Sequence, residues 1–227
     1  SHIAQQLAHI GVGRFLLCDP DVVDDSNLNR MVGAVRSDAN TARLKVDVIS
    51  ERIRAINPEA LIEKAKKPWQ AVAQQLRNSS AVFGCVDSFS ERSQLEAMCR
   101  RFLIPYFDIG MDVTKSTTGY TISGQVIVSM PGYRCMRCLG FITDAVLAAE
   151  AQNYGAAGGR PQVVWPNGIL ASTAVGLFVS IFLPWHSQVE PLLFVEYDGN
   201  AARVFPSNRL KAIAELACHH YAGENDL

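Results

Sequence analysis

The chain has 227 residues, 48% of them hydrophobic and 19% charged, with a formal net charge of -1. That length supports one α/β domain with a sizeable core, and the composition excludes a disordered chain. Scattered basic residues in a near-neutral chain leave no field to draw in nucleic acid or an anionic membrane.

Residues 1–13 carry His2, Gln5, Gln6 and His9 among the apolar positions. That is not an apolar signal core, so a cytoplasmic chain is expected. Ile3, Leu7 and Ile10 share one helical face, and Gly11 and Gly13 then stop the helix. Phe15-Leu16-Leu17-Cys18 is a short buried-type strand that ends in Asp19. Leu44, Val48, Ile49 and Ile53 predict a helix over 42–56, closed by Asn57-Pro58. A strand (Ala60–Ala65), a helix (Trp69–Leu76), a strand (Ala81–Cys85), a helix (Ser90–Phe102) and a strand (Tyr106–Ile109) follow. Such alternation implies right-handed βαβ units and a parallel sheet.

After Thr114 the pattern changes. Tyr120–Met130 alternates like a hairpin arm. An apolar helix (about Gly168–Leu183) and two strands (Leu192–Tyr197, Ala202–Phe205) complete the domain. The uncharged run from Pro161 to Trp185 is interrupted by Pro166, Asn167, Ser172, Thr173 and Pro184. Its continuous helical part falls short of the ~20 residues of a membrane span, so a buried helix is expected. The segment 153–162, with Gly155, Gly158 and Gly159, reads as a mobile loop.

The fold class is therefore α/β: a Rossmann-like, mostly parallel sheet with an antiparallel C-terminal extension. A Rossmann sheet opens with a strand and a glycine-rich turn before its first helix. Here the sequence opens inside a helix, so that strand and turn are expected upstream of Ser1. An acidic residue about 20 positions past the turn then falls on Asp19.

Several residues carry candidate chemistry. Asp19 at a strand tip could accept two ribose hydroxyls, or cap the loop or the next helix. Asp21 could act beside it or form a Pro-Asp turn. Asn27 and Arg30 lie three apart, on one face if that segment is helical. Arg30 offers a planar fork to phosphate oxygens, or a surface salt bridge to Asp24 or Asp25. Asp87 ends an apolar strand at the sheet edge where open α/β folds bind ligands, and a carboxylate there can hold Mg2+ with waters and phosphate oxygens. Arg92 either positions Asp87 or its loop, or takes part in chemistry. Trp165 and Asn167 could line a pocket, and a helix N-cap explains Asn167 equally well.

Of six cysteines, Cys18, Cys85 and Cys99 lie in apolar strands or a helix and read as inert, buried thiols. Without a secretory leader no disulfide framework is expected. Cys135-x-x-Cys138 could supply half of a tetrahedral zinc site, a redox pair, or two unligated thiols.

The stretch Asp19-Pro-Asp21-Val-Val-Asp-Asp-Ser-Asn27-Leu-Asn-Arg30 resembles the signature of the ThiF/MoeB/HesA family, the relatives of ubiquitin-activating enzymes. Lys45 opening a helix, Cys85-Val86-Asp87, Arg92, and Pro131-Gly132-x-x-Cys135-x-x-Cys138 continue the resemblance in register. It covers roughly residues 1–140 and extends more loosely to the end. The resemblance implies that a glycine-rich phosphate turn ends just before Ser1. It also implies one adenylation domain over 1–227, with 1–113 binding nucleotide and 114–227 serving partner binding and dimerisation.

The implied reaction joins the C-terminal carboxylate of a ubiquitin-like or sulfur-carrier protein, ending in glycine, to AMP from ATP and releases pyrophosphate. The resemblance assigns catalysis to Arg30, Lys45 and Asp87, nucleotide binding to these with Asp19, Asp21 and Asn27, and Mg2+ to Asp87. Family members that bind zinc supply a second Cys-x-x-Cys near the C-terminus. This chain shows Cys218-His219-His220-Tyr221 instead, so Cys135, Cys138, Cys218 and either histidine, His220 being the one chosen, are the zinc candidates. Residues 159–168 hold no cysteine, which predicts adenylation without an enzyme thioester. The family also implies a homodimer through the long apolar helix, and it leaves small peptides or tRNA open as substrates, with no membrane partner. The competing readings are an NAD-dependent Rossmann oxidoreductase and a degenerate, non-catalytic scaffold.

Overall fold

A computed structural model of the protein describes residues 1–117, 119–152, 162–183, 185, 190–212, 218, 220 and 221. The chain forms two compact units, Ser1–Leu76 with Gln162–Gly176, and Arg77–Pro161 with Leu177–Leu227.

The first unit carries α1 (His2–His9), β1 (Arg14–Cys18), α2 (Arg36–Asn40), α3 (Lys45–Ile56), β2 (Leu61–Ala65) and α4 (Ala73–Leu76), with 3-10 turns at Asp25–Asn27 and Trp69–Val72. The glycine stop works as the sequence predicts. Gly11 sits at φ +84, the Val12 amide reaches the Leu7 carbonyl at 3.0 Å, and the Gly11 amide reaches Ala8 at 3.1 Å. These two bonds are a Schellman closure, which needs the left-handed residue that glycine supplies without strain. β1 and β2 then pair in parallel from Arg14↔Leu61 to Cys18↔Ala65. Ile53, Ile49, Val46 and Val48 on α3 and Leu7 on α1 are buried, as the 3.6-residue spacing requires.

The second unit carries β3 (Val82–Gly84), α5 (Phe89–Arg101), β4 (Tyr106–Ser116), β5 (Gly119–Ser129), α6 (Asp144–Gln152), the end of α7 (Val164–Phe182), β6 (Phe194–Asp198), β7 (Arg203–Pro206) and α8 (Arg209–Ala212). Its sheet runs in the order β3-β4-β5-β6-β7. β3 and β4 are parallel, and the later neighbours are antiparallel, which is the expected C-terminal extension. Phe107, Val128 and Leu193 form a buried cluster against which Phe83, Leu177, Phe178 and Ile181 pack. The Phe83 and Phe107 rings stack at 4.8 Å.

Gly84 is needed for close approach. A Cβ there would overlap the Tyr106 hydroxyl and fall 2.6 Å from Cε2 of the same fully buried ring. Gly84→Ala is expected to destabilise by about 1–3 kcal/mol, because a ring held on all sides cannot yield. A shift in the urea midpoint at unchanged slope checks it.

Several expectations are corrected. The apolar helix starts at Val164, not near Gly168, so Asn167 lies inside α7 and is no N-cap. Pro166 falls in its first turn, where a missing amide proton costs nothing. α7 is also not a buried helix: only 28% of its most apolar window is buried, and by length and composition alone it passes for a membrane span. Cys85 lies beyond the end of β3 and is exposed, not buried in the strand, whereas Cys99 is fully buried. Burial pushes the Cys99 thiol up to about 12. α6 goes unannounced in the sequence because none of its residues is buried, so no apolar stripe marks it. The glycine loop expected at 153–162 lies outside the described residues except for Gln162.

Candidate functional site

In the first unit, three of the expected residues, Asp19, Asp21 and Lys45, meet at the C-terminal end of β1, and Asn27 and Arg30 lie on the turns that follow. The Asp19 amide still pairs with Ala65 at 3.1 Å, which places its carboxylate just past the strand. That carboxylate accepts the Asp21 amide at 2.8 Å, a turn of the kind Asp-Pro-Asp favours. Burial pushes Asp19 upward, opposed by the Asp21 amide and by Lys45.

Lys45 is tied twice to Asp21. Its ammonium meets the Asp21 carboxylate at 2.8 Å, and its amide donates to the Asp21 carbonyl at 3.0 Å. An antiparallel bridge Val22↔Leu44 and a 2.7 Å bond from the Val23 amide to Arg43 hold the two segments together. Lys45 therefore opens α3 beside the β1 tip, although 24 residues of chain separate it from Asp21.

Asn27 is buried and spends its amide oxygen on the Asp24 backbone at 3.2 Å. Its local part is thus to shape the 3-10 turn that presents Arg30. Arg30 pairs with neither Asp24 nor Asp25. Its guanidinium donates to the Ser26 carbonyl and, at 3.1 Å, to the Asn29 side chain. Asp25 pairs with Arg36 instead. The Val32 amide donates to Ser1 Oγ at 3.1 Å. The segment that follows Arg30 consequently lies beside Ser1. Asp19, Asp21 and Lys45 thus form one polar group at the end of β1, and Arg30 is carried on the turns that follow it.

In the second unit, Asp87 is exposed in the turn between β3 and α5. Ser88 caps α5 by accepting the Glu91 amide at 3.0 Å. Glu150 of α6 supplies a second cap, its carboxylate accepting the Phe89 and Ser90 amides at 2.7 and 2.8 Å. Arg92 does not brace Asp87. It forms a buried ion pair with Asp108 of β4 and a 3.5 Å bond to the Ile109 carbonyl. Tyr106 donates to the other Asp108 oxygen at 2.9 Å. Burial pushes the Asp108 carboxyl up, and Arg92 with the Tyr106 hydroxyl pulls it back.

The second unit also assembles the cysteine cluster. Cys135, Cys138, Cys218 and His220 bring their ligand atoms within 4.8 Å of one another. The Cys135 and Cys138 sulfurs stand 3.6 Å apart, and His220 Nδ1 lies 3.5 and 3.3 Å from them. A tetrahedral zinc about 2.3 Å from sulfur and about 2.0 Å from nitrogen spaces sulfurs by roughly 3.8 Å and sulfur–nitrogen pairs by roughly 3.5 Å. The donor set therefore fits zinc in both chemistry and spacing. Of the two expected histidines, His220 reaches the thiols, and His219 lies outside the described residues. Burial pushes the Cys135 thiol upward. Burial acts the same way on Cys218, but the Tyr221 and His220 amides and the thiols of Cys138 and Cys135 outweigh it and draw that thiol down.

Sequence reasoning passed over Asp108, Glu96, Arg100 and Glu150. The first was hidden in an apolar strand. Glu96 and Arg100 follow Arg92 at four-residue steps, a charged helical stripe that reads as a solvated face until all three prove buried.

The ThiF family profile matches residues 1–201. The chain is 32% identical over 154 residues to the molybdopterin-synthase adenylyltransferase of Salmonella typhimurium, covering 65% of this chain and 57% of that protein. It is 34% identical over 113 residues to the tRNA threonylcarbamoyladenosine dehydratase of Escherichia coli, covering 48% and 41%. Among solved structures it resembles E. coli MccB crystallised with ATP, at a TM-score of 0.71 and 16% identity over 92% of this chain and 60% of that one. The chain spans about half the length of the curated relatives it matches.

Proposed function

The chain belongs to the ThiF family, and from that premise we propose that it is the nucleotide-binding part of an ATP-dependent adenylyltransferase. The proposed substrate is the C-terminal carboxylate of a ubiquitin-like or sulfur-carrier protein ending in glycine. The observation that carries this reading is the polar group at the end of β1, where Asp19, Asp21 and Lys45 meet, with Arg30 on the turns that follow. Such a group serves a ribose and a chain of phosphates, whereas a hydride-transferring enzyme has no use for two cations there.

In the proposed reaction a carboxylate oxygen attacks the α-phosphorus of ATP, and the bond from that phosphorus to the β-phosphate bridge breaks. Pyrophosphate leaves with the electron pair, and the acyl group becomes an adenylate. A carboxylate is a poor electrophile because it would have to expel oxide; joined to AMP it has a good leaving group. Asp19 accepts the ribose hydroxyls in this reading, while Arg30 and Lys45 draw off phosphate charge. Asn27 and Asp21 act through them, one by shaping the Arg30 turn and the other by holding the Lys45 ammonium. Asp87 is one exposed carboxylate, which suits Mg2+ that keeps most of its waters and takes phosphate oxygens as further ligands. Bound there, Mg2+ would offset charge on the phosphates.

Pyrophosphate exchange into ATP, measured on the full-length protein against a panel of glycine-tailed carrier proteins, tests the assignment. Exchange with one carrier supports it. Exchange only with tRNA, on the precedent of the dehydratase relative, would replace the substrate class. Nicotinamide binding without exchange would replace the reaction.

Zinc held by Cys135, Cys138, Cys218 and His220 is proposed as a structural ion, since four protein ligands leave no open position. Dialysed protein is expected to retain about one zinc per chain by atomic absorption, in line with a closed structural site. Affinity should fall as pH drops, because thiolates and a neutral imidazole must lose protons to bind. Folded protein without zinc would sink this part. A homodimer is proposed through α7, where Val164, Trp165 and Phe182 are exposed.

A further inference from the structure

The three charged residues on one face of α5 are all buried: Arg92 and Arg100 at 7% exposure and Glu96 at 0%. Arg92 is explained by Asp108. Among the described residues Glu96 and Arg100 form no salt bridge, although the Arg100 charge acts on Glu96, and each keeps one polar atom without a hydrogen-bond partner, Oε2 and Nη2. Burial of two charges with incomplete hydrogen bonding is costly, so the bonds they do make are informative.

Those bonds lead to the two halves of the cysteine cluster. Glu96 Oε1 accepts the Met136 amide at 2.8 Å. Met136 is fully buried and lies between Cys135 and Cys138 in the chain. Its amide is therefore fixed at the centre of the Cys-x-x-Cys turn, the same turn in which the Cys138 amide points at the Cys135 sulfur at 3.4 Å. Arg100 is held by Ser129 Oγ at 2.9 Å, and its guanidinium lies over the Tyr221 ring at 5.6 Å. Tyr221 directly follows His220. One helix thus grips the turn that carries two ligands and the returning segment that carries the other two.

We propose that Glu96 and Arg100 are positioning residues for the metal centre, Glu96 by fixing the Met136 amide and Arg100 by seating Tyr221. This rests on the zinc reading above. A charged acceptor holds an amide more strongly than a neutral one, and a turn already folded in its ligating shape loses less entropy on binding. Outer partners of this kind commonly change metal affinity by about 10–100-fold.

The test is zinc affinity of the full chain by competition with a chromophoric chelator, with the cobalt(II) absorption spectrum as a second readout. Glu96→Leu removes the acceptor and is expected to weaken zinc by about 10–100-fold. Glu96→Gln keeps a carbonyl oxygen for Met136 and is expected to restore most of that affinity. Tyr221→Leu, at a half-exposed position, should speed zinc loss to the chelator several-fold without unfolding the protein, and it decides the matter if Glu96→Leu does not fold. Wild-type affinity in Glu96→Leu, or an unchanged release rate in Tyr221→Leu, overturns the proposal. A wild-type chain that binds no zinc overturns the zinc reading itself, a result distinguishable from either.

Discussion

Arg30→Ala is expected to lower pyrophosphate exchange by about 10²–10³-fold, the usual loss when one preorganised donor to developing charge is removed. The guanidinium is already held by the Ser26 carbonyl and the Asn29 side chain, so it needs no reordering to meet a phosphate. Its fork keeps further N–H groups for that purpose. Lys45→Ala should fall in the same range, with an added rise in KM for ATP, because the ammonium also steadies Asp21 beside Asp19. Arg36→Ala is the control. Arg36 and Asp25 form an exposed pair, with 74% and 73% of their side chains accessible, and such pairs contribute little. Its activity should stay within about twofold of wild type, as for a change in a surface ion pair. Exchange rates within threefold of wild type for Arg30→Ala would remove the phosphate assignment.

Arg92→Leu is expected to cost about 3–5 kcal/mol of stability, the penalty for leaving one member of a buried pair uncompensated. Asp108 is fully buried, and Tyr106 alone cannot balance its charge. The pH dependence has a definite sign. Without Arg92 the folded-state pKa of Asp108 stands above its unfolded value, because burial already raises it and the main opposing charge is gone. The native state then binds more protons than the unfolded one. Stability is present at acid pH and is lost as pH rises through the folded pKa. Urea midpoints across a pH series should therefore show the smallest deficit at the acid end. Asp108→Asn combined with Arg92→Leu should recover part of the loss at neutral pH. A flat pH profile would show that the ion pair does not carry the stability assigned to it.

The contrast between Arg30 and Arg92 shows where a sequence is readable. Arg30 acts within a contiguous stretch, Asp19 to Arg30, whose turns close on themselves through short-range bonds. Its placement follows from neighbours along the chain. Arg92 sits 16 residues from Asp108, on a different element. Local reasoning pointed it at Asp87, five residues away, and only the packing of α5 on β4 turned it elsewhere. Asn27 and Lys45 fall between these cases. Asn27 was readable as lying three residues from Arg30, on one face of a helical segment, but its bond to the Asp24 amide was not. Lys45 was readable as the start of a helix, and the bridge from Val22 to Leu44 then set it on Asp21.

The sequence alone determined the α/β alternation, the glycine closure of α1, the acidic end of β1 and the change to an antiparallel arm. Each depends on periodicity or turn chemistry, which act over a few residues. The family resemblance named Cys135, Cys138, Cys218 and His220 as one zinc set, and the structure brings residues 218 and 220 back to that turn some 80 positions earlier. Tertiary structure alone decided that Arg92, Glu96 and Arg100 face inward and that much of α7 does not. Burial depends on what packs against a face, and a charged stripe or an apolar helix looks the same in sequence whichever way it turns.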